Sequence, residues 1–260
     1  MKAMLQRLLA DDGARATHHG EDAAAFAAHR RIILGKPLLA DAYRRFYAEF
    51  ARAAQALPPG PRIELGAGGG FLKSCVPGVR TSDVVTGAEL DLVCAGEALP
   101  FADESVSGVF LLHVLHHMAR PVRFLAEAER CLRPGGRLVM VEPASTWWGR
   151  LVRRAMHHEA YDGAGGWELD AGAHSNLALP WILFDRDRAD VARAFPRLRL
   201  VRYEPHTPLR LLLSGGVTYR ALVPGAWLPL VRLAERAASP LNGMFGMHVT
   251  IELLKTERAA

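Results

Sequence analysis

Cysteine is scarce in this chain. Its 260 residues hold three, Cys75, Cys94 and Cys131, an odd number, far apart and without a C-x-x-C pair. That excludes a disulfide framework and points to a reducing compartment. No run of Lys and Arg dominates, although the formal charge is +5. Bases alternate with acids instead, as in Asp185-Arg186-Asp187-Arg188-Ala189-Asp190. Such a face reads as solvated mixed charge, so no nucleic-acid partner is expected. Also missing is any apolar stretch of the about 20 residues that cross a bilayer. The start, from Met1 to Asp12, turns acidic after a short apolar run and does not read as a signal peptide. A cytoplasmic location is the expectation. Internal repeats and low-complexity linkers are absent as well.

What is present is a globular composition, 50% hydrophobic and 23% charged. The length suits one decorated α/β domain better than two independent ones. Residues 1–58 read as an N-terminal helical cap. In its first 35 residues the periodicity is weak and allows one or two loose helices. From Pro37 an apolar stripe of Leu39, Tyr43, Phe46, Phe50 and Leu57 marks one helix face, ended by Pro58-Pro59-Gly60-Pro61. Residues 59–145 alternate strands and helices. Strands are expected at Arg62–Leu65, Val79–Val84, Leu90–Cys94, Ser105–Leu112 and Arg137–Glu142. A helix is expected from about Phe71 and another from Pro121, the latter stopping at Arg133-Pro134-Gly135-Gly136. Alternation of this kind predicts a parallel sheet covered on both faces. Residues 146–197 read as an irregular insertion rich in Trp, His and Gly, followed by a helix from Asp185. Residues 198–260 supply strands at Leu198–Tyr203 and Met247–Leu254 around an apolar helical insertion.

The first strand feeds Gly66-Ala67-Gly68-Gly69-Gly70. Glycines there let a ligand approach the backbone, and a following helix would offer free N–H groups to an anion. The dinucleotide fingerprint G-x-G-x-x-G fails, because Phe71 stands where its third glycine belongs. The pattern acid-x-G-x-G-x-G is met in full by Glu64, Gly66, Gly68 and Gly70.

With those residues the chain resembles class I S-adenosylmethionine-dependent methyltransferases. The stretch Gly96-Glu97-Ala98-Leu99-Pro100-Phe101, the run Leu115-His116-His117, Glu127, and Leu132-Arg133-Pro134-Gly135-Gly136 follow in the family's order. The similarity covers roughly residues 60–143 and is weaker outward. It implies a Rossmann-like, seven-stranded, mostly parallel sheet with helices on both faces and the last strand antiparallel. It implies S-adenosyl-L-methionine as cofactor, held by Glu64, Gly66, Ala67, Gly68, Gly70, Asp83, Gly96, Glu97, Ala98 and His113. In that reading Glu64 holds the ammonium end, and the carboxylate of Asp83 takes both ribose hydroxyls. The chain departs from the family at Ala95 and Ser107, where acids are common. Adenine contact then falls to the backbone near Gly96 and to Glu97. The resemblance is to small-molecule methyltransferases of bacterial type and implies a small or lipid-like acceptor. No Asn-Pro-Pro-Tyr or Asp-Pro-Pro-Tyr motif for base amines is present.

Acceptor chemistry is less legible. His113, His116 and His117 follow the fourth strand, and a histidine there can deprotonate an acceptor or merely line the cofactor pocket. His157, His158 and Glu159 offer an oriented base beside the site, with Tyr161 and Trp167 shaping the pocket, or else an exposed helix end. No metal site is assigned. Residues 209–231 read as core, a lid over an apolar acceptor, or a peripheral membrane contact flanked by Arg220 and Arg232. Methyl transfer needs alignment more than a triad, so a catalytic enzyme is expected. The alternative is a cofactor-binding scaffold or regulatory subunit.

Overall fold

The computed structural model describes residues 23–87, 90–156 and 159–257. Two helices come first, α1 (Ala23–Gly35) and α2 (Pro37–Ala54). Pro37 sits in the first turn of α2, where its missing N–H costs nothing. Leu39, Ala42, Phe46, Phe50 and Ala53 recur on one face of α2 and are fully buried.

The strands are β1 (Arg62–Leu65), β2 (Val79–Asp83), β3 (Leu92–Val93), β4 (Val106–Leu112), β5 (Leu132–Pro143), β6 (Leu198–His206) and β7 (His248–Lys255). They form one seven-stranded sheet in the order β3-β2-β1-β4-β5-β7-β6. Pairs from β3 through β5 are parallel. β7 lies antiparallel between β5 and β6. This is the Rossmann-like arrangement expected, with the last strand reversed.

Burial on both faces explains the strand sequences. Val109, Leu111, Leu138 and Met140 join one core layer with Phe124 and Leu125 of α3 (Pro121–Cys131). Phe110, Val139 and Val141 enter the opposite layer with Phe46 and Phe50 of α2. Alternate residues of one strand thus serve two cores.

Several local expectations need correction. Phe71 does not open a long helix; only a 3₁₀ turn, Leu72–Ser74, follows the glycine loop. β5 begins at Leu132, not Arg137, with Arg133–Gly136 bulging out between the pairs Val106–Leu132 and Gly108–Arg137. Gly135 supplies the positive φ, +78°, that this bulge requires. The insertion is not irregular throughout, since Trp147–Met156 forms a helix, α4. It escaped notice because two Trp and a Gly open it, all weak helix formers. The remaining helices used below are α5 (Arg188–Ala194), α6 (Arg210–Ser214) and α7 (Leu228–Ala237). Among the described residues no helix is long and apolar enough to cross a membrane.

Buried ion pairs fasten these elements. Asp41 of α2 accepts from Arg210 at 2.7 Å and from Arg232. Arg210 also reaches Glu235 at 2.6 Å. Glu49 pairs with Arg45 and Arg202, and Glu252 with Arg52 and Arg137.

Candidate functional site

The strand order reverses between β1 and β4, and ligands of open α/β sheets settle beyond the carboxyl ends of strands at such a switch. The glycine loop leaves β1 there. Gly66 has φ +66°, and a Cβ on it would lie 2.5 Å from a Val114 methyl, so only glycine fits. Beneath the loop Glu64 is 2% exposed, and its Oε2 has no hydrogen-bond partner. Burial, reinforced by the like charge of Asp83 and opposed by Lys73, pushes the Glu64 carboxyl up to about 8. A buried acid with an unpartnered oxygen could hold a cationic group.

Asp83 ends β2 facing the same loop. Its Oδ2 accepts the Gly68 N–H at 2.9 Å, and its Oδ1 accepts the Val84 N–H at 2.8 Å. Each oxygen keeps capacity for a further donor. The loop is covered from outside by α1. A Cβ on Gly69 would lie 2.6 Å from the Phe26 carbonyl oxygen and 2.8 Å from the Arg30 nitrogen. From within, Tyr47 receives the Phe71 N–H at 3.1 Å, and Tyr43 stacks on Phe71.

The turn after β3 places Gly96 against Met118 and Phe124, where a Cβ would meet them at 2.8 and 3.1 Å. Glu97 beside it is half-buried and Ala98 exposed. Glu127 and Arg130 hold the following loop by its backbone at Leu99 and Phe101. Ser107, where an acid is common, is buried and donates to the carbonyls of Gly60 and Pro61, a structural post.

Beyond β4 and β5 opens a cavity of about 270 Å³. Its walls are apolar, including Leu39, Val152, Leu177, Leu211, Leu212 and Met247, while His113, His116, His117, Arg153, Glu159 and His248 supply polar chemistry. Tyr43 and His113 also line it, and Tyr43 stacks on the glycine-loop residue Phe71, which joins the two regions. His113 has φ +57° and stacks on His248 at 5.0 Å, and its Nε2 has no hydrogen-bond partner. Burial pulls its pKa down to about 4, so the ring is neutral at pH 7.

Next to it stands a carboxylate–imidazole–carboxylate chain. Glu142, fully buried at the end of β5, accepts the N–H groups of Val114 and Leu115 at 2.8 Å each. Its other oxygen lies 2.6 Å from His116 Nδ1. His116 Nε2 is 3.4 Å from Glu159, and His117 Nε2 is 3.9 Å from it. Burial alone would lower the His116 pKa, but Glu142 and Glu159 outweigh it and raise it to about 9. Arg153 is 6% exposed; Nη1 donates to the Met247 carbonyl at 3.1 Å, while Nε and Nη2 have no partner. Burial drags its pKa down to about 10, against the pull of Tyr161 and Glu159.

Of the residues offered by the sequence, Glu64, Gly66, Gly68, Gly70 and Asp83 therefore converge at one loop. Gly96, Glu97 and Ala98 occupy the neighbouring turn, and His113 and Glu159 face the cavity. His157 and His158 lie outside the described residues. Tyr161 and Trp167 do not line this cavity, contrary to expectation. Trp167 donates Nε1 to Asp187 at 2.9 Å and packs on the core, while Tyr161 opens onto a separate groove beside Trp181. The segment 209–231 divides rather than acting as one unit. Leu211, Leu212 and Gly215–Tyr219 line the cavity, whereas Trp227 and Leu230 are exposed. Glu142 and Arg153 were missed. An acid inside the apolar run Val139-Met140-Val141-Glu142-Pro143 was the available signal for the first; nothing marked Arg153.

Residues 64–140 match the methyltransferase-domain family. A stretch of 45 residues is 56% identical to an uncharacterised 37.1 kDa protein of transposon TN4556 in Streptomyces fradiae. That alignment covers 17% of this chain and only 13% of that protein's length. Among solved structures the chain resembles geranyl diphosphate C-methyltransferase of Streptomyces coelicolor A3(2), at 15% identity and a TM-score of 0.48, covering 95% of this chain and 89% of that one. It also resembles the structure of the Haloferax volcanii Trm112 methyltransferase activator bound to a methyltransferase, at 16% identity and a TM-score of 0.48, covering 90% and 97%. An S-adenosylmethionine-dependent methyltransferase of Thermotoga maritima gives 17% identity and a TM-score of 0.47, covering 82% and 98%.

Proposed function

We propose that this methyltransferase domain transfers a methyl group from S-adenosylmethionine to a small acceptor with an apolar body and an acidic end, bound in the cavity beside β4 and β5. The observation that carries the cofactor half is the vacant, buried Glu64 oxygen under the glycine loop. The cofactor carries an ammonium group that this carboxylate would hold, and its ribose would find the remaining lone pairs of Asp83. Backbone at Gly66 and Gly68 permits close approach, and the turn at Gly96, Glu97 and Ala98 would meet the adenine edge. When bound, the cofactor supplies an electrophilic methyl on a positively charged sulfur.

The chain's own part is alignment and exclusion of water. Holding two reactants in line can supply about 7–11 kcal/mol of the barrier. Leu39, Val152, Leu177 and Met247 surround an acceptor with hydrocarbon. At about 270 Å³ the cavity is at the small end of ligand sites, which supports a small acceptor. The unpartnered guanidinium nitrogens of Arg153 match a carboxylate or phosphate on that acceptor. His113, neutral and lacking a partner at Nε2, stands between the two regions. Glu159, which lines the same cavity, would receive a proton where the acceptor must lose one.

The test pairs calorimetry with S-adenosylhomocysteine and transfer of labelled methyl to a panel of acidic, neutral and cationic small acceptors. Glu64→Gln is expected to abolish cofactor binding, and transfer is expected to acidic acceptors first. Binding without transfer to any acceptor would favour the scaffold reading. Failure to bind S-adenosylhomocysteine would overturn the proposal.

A further inference from the structure

We propose that His116, His117 and Glu159 form a divalent-metal site of the zinc class on the floor of the cavity. The site goes beyond the methyl-transfer reading and does not depend on it. One donor atom from each residue lies within 4.8 Å of the others. The 3.4 Å from His116 Nε2 to Glu159 is long for a charge-assisted hydrogen bond. It equals the ligand-to-ligand edge, about 3.3–3.5 Å, of a tetrahedron with metal bonds of about 2.0–2.2 Å. His117 Nε2 lies 3.9 Å from the other oxygen of the same carboxylate, Oε1, so Glu159 faces both imidazoles and its two oxygens are both within reach of an ion held there.

The surroundings are built as metal-binding histidines require. A ligating imidazole normally gives its other nitrogen to a carboxylate or a backbone carbonyl, which fixes tautomer and orientation. His116 Nδ1 faces Glu142 at 2.6 Å, and Glu142 is itself clamped by two backbone N–H groups. His117 Nδ1 faces the His174 carbonyl at 3.4 Å. Both Nδ1 atoms thus point at oxygens behind the site, and both Nε2 atoms point toward Glu159. The 3₁₀ turn Leu115–His117 brings the adjacent rings together, with centroids 4.1 Å apart. Glu142 and Glu159 supply two negative charges to balance a dication.

Three protein ligands leave one position open toward the cavity, the arrangement of sites that bind a further molecule. An oxygen or nitrogen of a molecule bound in the cavity would complete the shell, and Arg153 in the same cavity would take an acidic group on it. Glu159 then serves as ligand rather than as proton acceptor.

Tag-free full chain titrated with Co²⁺ tests the site by visible absorption, with Zn²⁺ as competitor and S-adenosylhomocysteine binding measured in parallel. One Co²⁺ per chain with intense tetrahedral bands, displaced by Zn²⁺, is expected. His117→Ala and Glu159→Gln should each weaken the ion at least about tenfold, and Glu142→Gln about 10–100-fold. Thermal melts would show that the His117→Ala chain, altered at an exposed ring, stays folded. No saturable Co²⁺ binding, or binding unchanged in both ligand variants, would overturn the site. Because S-adenosylhomocysteine is scored separately, loss of the metal site and loss of the methyltransferase reading give different results.

Discussion

Glu64→Gln should make the free protein more stable at alkaline pH while destroying its cofactor site. The carboxyl rises from the ordinary 4.5 to about 8 on burial. Between those values the folded chain holds a proton that the unfolded chain has released. Stability is therefore present in full below pH 4.5 and is lost as pH climbs toward 8, by about 1.4 kcal/mol per unit. Over the whole interval the loss reaches about 5 kcal/mol, an upper bound because opening of the loop would relieve it. Glutamine cannot ionise, so the variant escapes the loss. At pH 9 it should melt well above wild type, by about 10 °C at 2–4 °C per kcal/mol. At pH 5 the gap should shrink to about 2 °C. Differential scanning calorimetry from pH 5 to 9 measures this directly. Linked to it, S-adenosylhomocysteine should release close to one proton at pH 7, visible when calorimetry is repeated in buffers of different ionisation enthalpy. Equal melting of variant and wild type at pH 9, together with no proton release, would show that Glu64 is ionised in the free state and refute the reasoning.

Asp41→Asn removes a carboxylate shared by Arg210 and Arg232, and should cost about 3 kcal/mol by urea unfolding, since a buried arginine loses a partner. Less than about 1 kcal/mol would mean that Glu235 alone neutralises Arg210. Arg153→Met deletes an under-bonded buried cation, so stability should hold or rise by about 1 kcal/mol while acidic acceptors lose at least about tenfold in kcat/KM. Loss of turnover on neutral acceptors to the same degree would argue against a binding role for the charge. Gly69→Ala drives a methyl into the backbone of α1 at Phe26 and Arg30. Trypsin should then cut at Arg30 or Arg31 about tenfold faster, the increase expected for roughly 1.4 kcal/mol of weakened docking. Unchanged cleavage would mean that the loop, not the helix, gives way.

The parts of the fold that were legible are those where one local rule governs. Leu39, Phe46 and Phe50 show a helical period, and Val109, Phe110 and Leu111 show a strand buried on both faces. Glu64 and the glycines could be placed at one loop because chain neighbours stay neighbours. The helix expected after Phe71 shrinks to a single 3₁₀ turn, and Pro77-Gly78 close behind it are poor helix formers that leave little room for more. The cavity was opaque for a different reason. His116, Glu142, Arg153 and Glu159 lie on four segments, and only tertiary packing brings them together. Tyr161 and Trp167 show the opposite error, since an aromatic near a site in sequence need not turn toward it. Trp167 instead spends its N–H on Asp187, which also pairs with Arg186.

The position of β7 fixes when the described sheet can close during synthesis. Residues 248–255 are made after every other strand, yet they pair with both β5 and β6. Until they leave the ribosome, β6 has no neighbour and β5 presents an open parallel edge. Met247 and His248, which line the cavity, arrive in the same short segment. The glycine loop, carried by β1 and β2, can form far earlier. A nascent chain can therefore form its glycine loop well before its cavity, and insertion of one late strand completes the sheet and the cavity together.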